Sequence, residues 1–157
     1  MEIEFNSTGM VNFVFKRQPK SHNRGFKSEI AKAIYMQEIE HSIRKFNEAT
    51  TLTEELYGVI YYFFKKNTGT DADNISKPMW DCLKGILFND DKQIKLRTAG
   101  NIDISKGGIQ FIDFSKIKGE IITELLEAFD TNEHIVYVEC GRLKHSMYKF
   151  SWESDGN

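Results

Sequence analysis

The sequence predicts an α+β fold in which a small mixed β-sheet packs against helices within a single domain. Segments with strand-like alternation or a β-branched and aromatic composition are interspersed with segments of helical periodicity. The chain has 157 residues, and a domain of about this size buries roughly 68–70% of the surface of its unfolded chain. We assign residues 1–150 to this domain and residues 151–157 to a frayed, disordered tail.

The first strand and the first helix follow from the pattern of apolar residues. An alternation of apolar and other residues predicts a strand over 10–15. After a polar loop, Ser28 and Glu29 mark the start of a helix within residues 27–47. Its apolar residues form nearly one stripe, which predicts that one face packs on a sheet. The stripe consists of Ile30, Ile34, Ile39, Ile43 and Phe46.

A second strand and a second helix follow. Residues 56–64 are rich in Tyr, Val, Ile and Phe, as expected of a central strand. The periodicity of residues 75–88 predicts a helix with Pro78 in its first turn, where the missing N–H of proline has no partner to lose. Trp80 is expected to lie outside the buried stripe of this helix. The chain then folds back into a strand over 93–97.

The last third of the domain has a less regular pattern. Two adjacent glycines separate the apolar segments within 101–114, which predicts a hairpin. Apolar residues at four-residue spacing over 116–129 predict a third helix. Residues 134–143 then read as a final strand.

Four aspartates and a lysine lie at the ends of the predicted elements. Asp71 and Asp73 follow the second strand, whereas Asp90 and Asp91 follow the second helix. We expect the chain to return Asp91 to the end of the sheet where Asp71 lies. Three or four carboxylates gathered with Lys77 suit a hard divalent cation, Mg²⁺ or Mn²⁺, rather than zinc. This pattern indicates metal-assisted phosphodiester chemistry.

The charge distribution is compatible with a nucleic-acid partner although the formal net charge is −2. Residues 16–32 contain six basic residues and one acidic residue, and Lys65 and Lys66 precede the aspartates. A basic patch beside an acidic site that holds a metal can bind a phosphate backbone while the whole chain stays acidic. The patch consists of Lys16, Arg17, Lys20, Arg24, Lys27 and Lys32. A solvated surface without a partner is the alternative interpretation of the patch.

Other features of the chain argue for an intracellular protein. Residues 1–4 lack the basic and apolar regions of a signal peptide, and the apolar run 57–64 is too short to cross a membrane. Cys82 and Cys140 show neither metal-ligand nor disulfide spacing, and the four histidines are scattered. We therefore expect a cytoplasmic protein with reduced thiols, no zinc site and no membrane partner.

The order and spacing of these residues resemble the signature of the RusA-type Holliday-junction resolvases, which are endonucleases of phage and prophage origin. The resemblance covers residues 11–96. It consists of Pro19-x-Ser21-x-Asn23, Lys65-Lys66, Asp71-x-Asp73-Asn74-x-x-Lys77 and Asp90-Asp91-x-Gln93-Ile94. An isolated Asp-x-Asp is a weak signal because glycosyltransferases and helix caps also contain it, whereas the combined order is specific.

The resemblance implies a role for each residue of the signature. Asp71, Asp73 and Asp91 match the metal-binding aspartates, and Lys77 matches the active-site lysine. Asn74 and Asp90 are assigned as supporting residues, and DNA is expected to contact Lys16, Arg17, Lys20, Asn23, Arg24, Lys27, Lys65 and Lys66. Family members are homodimers of small mixed α/β subunits that cut two strands of a four-way DNA junction symmetrically. The expected cofactor is Mg²⁺, with Mn²⁺ as the alternative, and the expected process is DNA recombination and repair.

The chain departs from this family pattern in its carboxy-terminal part. RusA-type proteins close with a strand soon after the second aspartate motif. Here about 35 residues, 98–132, come before the expected last strand. We interpret them as an insertion or extension that enlarges the carboxy-terminal part of the domain.

Each site residue also has a purely structural interpretation. Asp73 or Asn74 would be a suitable helix N-cap, and Lys77 alone would be a solvated helix residue. The aromatic run 61–64 would stack on unpaired bases or, more simply, belong to the core and the dimer surface. Phe26 is a candidate wedge for the junction centre because it lies among basic residues.

Three other functions remain open. The first is a nuclease that prefers flaps or forks, and the second is a branched-DNA-binding protein that does not cut. The third is a sugar-nucleotide transferase, which is disfavoured because 157 residues leave little room for a nucleotide-binding domain.

Overall fold

The computed structural model describes residues 10–21, 25–48, 51–117 and 119–150. Within these ranges the chain forms four strands and three α-helices, which confirms the predicted α+β class. The elements are β1 (Met10–Phe15), α1 (Glu29–Arg44), β2 (Leu56–Phe64), α2 (Ala72–Leu83), β3 (Ile94–Asp103), α3 (Glu120–Thr131) and β4 (His134–Arg142). The tail over 151–157 lies outside the described residues.

The four strands form one mixed sheet in the order β1-β4-β2-β3. β4 pairs antiparallel with both β1 and β2, whereas β2 and β3 pair in parallel. Consequently β1, β2 and β3 all run in one direction, and their carboxyl ends lie at the same end of the sheet. β1 and β3 are the edge strands.

Two hydrophobic clusters cover the two faces of the sheet. α1 and α2 pack on one face, where Trp80 is completely buried. The expectation that Trp80 lies outside the buried stripe is therefore wrong. The reason is Gly58 of β2, since a Cβ atom there would overlap the indole ring. The missing side chain creates the space that the indole occupies.

α1 differs from its prediction in the face that it buries. It begins after Ser28, whose hydroxyl oxygen accepts a hydrogen bond of 3.1 Å from the Ala31 N–H. Ile30 and Ile34, which were predicted to be buried, are 74% and 46% exposed. Tyr35 is buried instead, because its ring packs edge-on against aromatic rings from the end of β1 and from the following loop.

α2 begins three residues before the predicted start and ends earlier than predicted. Pro78 is therefore in the helix interior and not in its first turn. Because proline has no N–H, the carbonyl of Asn74 lacks its usual helical donor at this position. The chain leaves the helix after Leu83 through a tight turn in which Gly85 adopts a φ of +83°.

The hairpin predicted over 101–114 does not form. β3 instead continues to Asp103 and stays paired with β2 along its length, and a short 3₁₀ helix follows at Gly108–Phe111. α3 begins at Glu120, four residues after its predicted start, and buries its apolar side against the second face of the sheet. Residues 98–132 thus complete an edge strand and cover one face, while their status as an insertion remains a prediction.

Candidate active site

Asp71 and Asp73 lie at the amino end of α2, and both are exposed. Asp71 holds the N-cap position, yet its carboxylate accepts no hydrogen bond from the helix. Aspartate at an N-cap normally accepts a bond from the second or third helical N–H. The structure therefore does not use Asp73 or Asn74 as the cap, and it leaves the Asp71 carboxylate available to a ligand.

The loop before α2 is fixed to the edge strand β3. The Asn101 side-chain amide donates a hydrogen bond of 2.5 Å to the carbonyl oxygen of Thr70. Asn101 pairs with Tyr62, close to the carboxyl end of β2. Asp71 is thus anchored at the carboxyl end of the parallel strand pair.

Lys77 lies one helical turn beyond Asp73 on the same side of α2. Its ammonium group is 3.4 Å from Asp81, and the two side chains are 58% and 52% exposed. An exposed pair of this kind contributes little to stability, commonly about 0.3–0.5 kcal/mol. The Lys77 ammonium group can therefore exchange Asp81 for a phosphate oxygen at little cost. Asn74 is half-buried beside these groups.

Asp90 and Gln93 form a capping box around a short 3₁₀ helix, Asp91–Gln93. The Asp90 carboxylate accepts a hydrogen bond of 3.0 Å from the Lys92 N–H, which lowers the pKa of Asp90. The Gln93 side-chain oxygen accepts bonds from the N–H groups of Asn89 and Asp90, and its amide donates to the carbonyls of Leu52 and Glu54. Asp90 and Gln93 therefore hold the turn that presents Asp91.

Asp91 is held by an arginine that the sequence interpretation did not identify. The Arg97 guanidinium donates a hydrogen bond of 2.8 Å to the Asp91 carbonyl and lies 3.4 Å from its carboxylate. The Asp91 side chain is 23% exposed. Nothing in the local pattern marked Arg97, because a basic residue on an exposed strand is ordinary.

The structure does not bring Asp91 to the end of the sheet where Asp71 lies. Since β2 and β3 are parallel, Asp91 precedes the amino end of β3, whereas Asp71 is anchored near its carboxyl end. The residues that hold them, Arg97 and Asn101, are about 13 Å apart along the strand. The expected return of Asp91 to the Asp71 end is therefore wrong for a single chain.

This separation decides how a metal ion fits. Oxygens that share one Mg²⁺ lie at 2.0–2.1 Å from it, hence about 4 Å or less from one another when adjacent. Among the residues that the structure describes, no three His, Cys, Asp or Glu side chains form a group able to hold a metal ion. The donor chemistry of Asp71, Asp73 and Asp91 suits Mg²⁺, but their arrangement in one chain does not fit a three-carboxylate site.

The predicted DNA-binding residues lie partly at the same end of the sheet as Asp71. β1 and β2 point in the same direction, so the loops that follow them leave from one end. Lys16 and Arg17 follow β1, whereas Lys65 and Lys66 follow β2. The sheet therefore gathers basic residues from two loops near the amino end of α2.

Several of these cations already have protein partners. Lys16 and Lys45 lie 2.6 Å and 2.9 Å from the two carboxylate oxygens of Glu124, and Arg17 lies 2.8 Å from Glu38. Burial acts to raise the pKa of Glu124, but the hydrogen bonds from both lysines outweigh it, so this pKa is lowered. Lys16 thus also ties the end of β1 to α3.

The loop that contains Lys20 is packed onto α1. The Lys20 ammonium group lies 4.4 Å from the centre of the Phe26 ring, and Phe26 packs edge-on against Tyr35. This contact favours a structural role for Phe26 over a free wedge. Lys27 is exposed, whereas Asn23 and Arg24 lie outside the described residues.

The aromatic run at the end of β2 belongs mainly to the core. Tyr62 and Phe63 are almost completely buried, and the Tyr62 hydroxyl lies 2.7 Å from a ring nitrogen of His134. Tyr61 and Phe64 are partly buried against the two hydrophobic clusters. Core packing, the simpler of the two interpretations, is confirmed.

Comparison with protein families identifies one matching family. The model of the family described as endodeoxyribonuclease RusA matches residues 8–109. This range contains both aspartate segments, the Lys65-Lys66 pair and all of β3. No curated protein matches the chain. None of the helices in the described ranges is long and apolar enough to cross a membrane.

Proposed function

The chain belongs to the endodeoxyribonuclease RusA family of Holliday-junction resolvases, and from this premise we propose that it is a Mg²⁺-dependent enzyme that resolves four-way DNA junctions as a homodimer. Mn²⁺ is the alternative cation. The paired nicks serve DNA recombination and repair in the cytoplasm. Asp71, Asp73, Asp91 and Lys77 are the proposed site residues.

One observation carries this proposal, namely that the motif divides into residues that hold the backbone and residues left exposed. Asp90 and Gln93 are used in the capping box, whereas Asp71 holds an N-cap position without capping. An aspartate that forgoes its usual local bond remains available for a ligand. This division supports Asp71, Asp73 and Asp91 as functional carboxylates and Asp90 as their support.

The electrostatic surroundings suit a phosphodiester. The amino end of α2 carries the positive end of the helix dipole, which favours an anion there. Lys77 lies one turn further along the helix and has only a weak, exposed partner. Loss of one such electrostatic contact to a developing negative charge typically costs on the order of 10²–10³ in rate. Lys65 and Lys66 supply further positive charge beside the same end of the sheet.

A panel of labelled DNA substrates tests this function. We expect the purified protein to cut a synthetic four-way junction in Mg²⁺ and not in EDTA, and to cut a flap, a fork and a linear duplex of the same sequences much more slowly. Faster cutting of the flap or the fork would assign the enzyme to that substrate. Junction binding without cutting in Mg²⁺ or Mn²⁺ would instead identify a non-catalytic branched-DNA-binding protein.

A further inference from the structure

The separation of Asp71 and Asp73 from Asp91 raises the question of how one site gathers them. α2 spans 12 residues, or about 18 Å, and it runs back from the carboxyl end of β2 towards the amino end of β3. Asp71 and Asp73 lie at the start of this helix, and Asp91 lies beyond its far end. Rotation of side chains within one chain cannot close such a gap, so a second chain is the simplest source of the missing carboxylate.

The edge strand β3 is the element that a second chain can extend. Its inner side pairs with β2, and no other strand in the described ranges pairs with its outer side. It has 10 residues, about 33 Å of strand, and much of its length is exposed. A long unpaired edge is a template for strand addition.

The charges of β3 favour antiparallel pairing of two copies. Lys95 and Arg97 lie in its amino-terminal half, whereas Asp103 lies at its carboxyl end. In an antiparallel pair, the basic half of each strand faces the acidic end of the other strand. A parallel pair would place like charges opposite one another, which is destabilising. The strand is thus complementary to itself about a two-fold axis, as an isologous dimer requires.

We propose that two copies of the chain pair antiparallel through their β3 edges, and that each active site combines Asp71 and Asp73 of one copy with Asp91 of the other. This inference rests on the proposed function. The pairing places the amino end of each β3, where Arg97 holds Asp91, beside the carboxyl end of the other copy, where Asn101 anchors the Asp71 loop. Because the two-fold axis is perpendicular to the sheet, the α2 helices of both copies lie on the same face.

Mixed dimers test this arrangement directly. Chains with two different affinity tags are coexpressed, and the dimer that carries both tags is purified. A dimer of one Asp73→Asn chain and one Asp91→Asn chain has one intact shared site and one site with both changes. We expect it to nick a supercoiled cruciform plasmid at about half the wild-type rate and to yield open circles, whereas both parent homodimers are inactive.

A reciprocal dimer provides the opposite outcome. It combines a wild-type chain with a chain that carries both Asp73→Asn and Asp91→Asn. A shared site predicts no cutting, because each site then contains one changed residue. Sites confined to one chain predict cutting by this dimer and none by the first mixed dimer, and that result would overturn the inference.

Cysteine cross-linking locates the interface without reference to activity. Single cysteines are placed at Lys95, Arg97, Thr98 and Asn101 in a Cys82→Ser background, and a cysteine at exposed Gln37 on α1 is the control. We expect oxidation to produce a cross-linked dimer with one maximum within β3 and none at the control position. No cross-link at any β3 position, or only monomer in light scattering, would refute the pairing. Failure of the wild-type homodimer to cut junctions would refute the proposed function instead.

Discussion

Removal of the Gln93 side chain should destabilise the protein and lower its activity, because this side chain fixes the turn that presents Asp91. It makes four hydrogen bonds of 3.0 Å, two as acceptor and two as donor. Two of these bonds are partly buried and two are exposed. The change Gln93→Ala removes all four and leaves the carbonyls of Leu52 and Glu54 without this donor.

The expected loss follows from the burial of these bonds. A hydrogen bond contributes about 0.5–1.5 kcal/mol net, and exposed bonds lie at the low end because water replaces the partner. We therefore expect Gln93→Ala to lower the free energy of unfolding by about 2 kcal/mol. Gln93→Glu keeps the accepting oxygen but loses the donors, so its loss should be smaller.

Urea denaturation followed by circular dichroism measures this difference. The control is Gln110→Ala, since Gln110 is exposed and its side chain makes no hydrogen bond in the described part of the chain. We expect a lower midpoint for Gln93→Ala with an unchanged slope, and slower junction cleavage at a temperature where the variant is folded. Equal midpoints for the two variants would refute the reasoning that Gln93 clamps this turn.

Three further predictions address other parts of the molecule. Because the pKa of Glu124 is lowered in the folded protein, its contribution to stability is present above the unfolded pKa and lost on acidification, so Glu124→Gln should flatten the stability profile below about pH 4.5. A profile as steep as wild type in a pH series of urea titrations would contradict this. Gly58→Ala should cost about 1–3 kcal/mol by overpacking against the indole, whereas Gly25→Ala, in open space, should change stability by about 0.5 kcal/mol or less; equal melting temperatures would disagree. Joint replacement of Lys65 and Lys66 by alanine should weaken junction binding and reduce the slope of log K against log salt by up to about 2, and an unchanged slope in fluorescence titrations would place the DNA elsewhere.

Local patterns predicted the element types and the composition of the site, because those properties depend on neighbouring residues. The alternation in β1, the aromatic content of β2 and the stripe of α3 are all local, and all three elements form. The two aspartate segments also follow from short-range spacing. Their roles as ligands remain predictions.

Properties that depend on distant residues could not be predicted in the same way. The position of Asp91 depends on the parallel pairing of β3 with β2, which a local pattern does not encode. The burial of Trp80 depends on Gly58, which lies in another strand. The paired glycines at Gly107-Gly108 indicated a hairpin because they were read without the ladder that extends β3 to Asp103.

Single-turnover cleavage of a four-way junction by aspartate variants tests the central claim most directly. Asp73→Asn and Asp91→Asn are compared with Asp130→Asn, a change at an exposed position on α3. In saturating Mg²⁺ we expect the first two variants to bind the junction as tightly as wild type but to cut at least about 10²-fold more slowly, while Asp130→Asn cuts at the wild-type rate. Cutting at the wild-type rate by either Asp73→Asn or Asp91→Asn would contradict the assignment of these carboxylates to the active site.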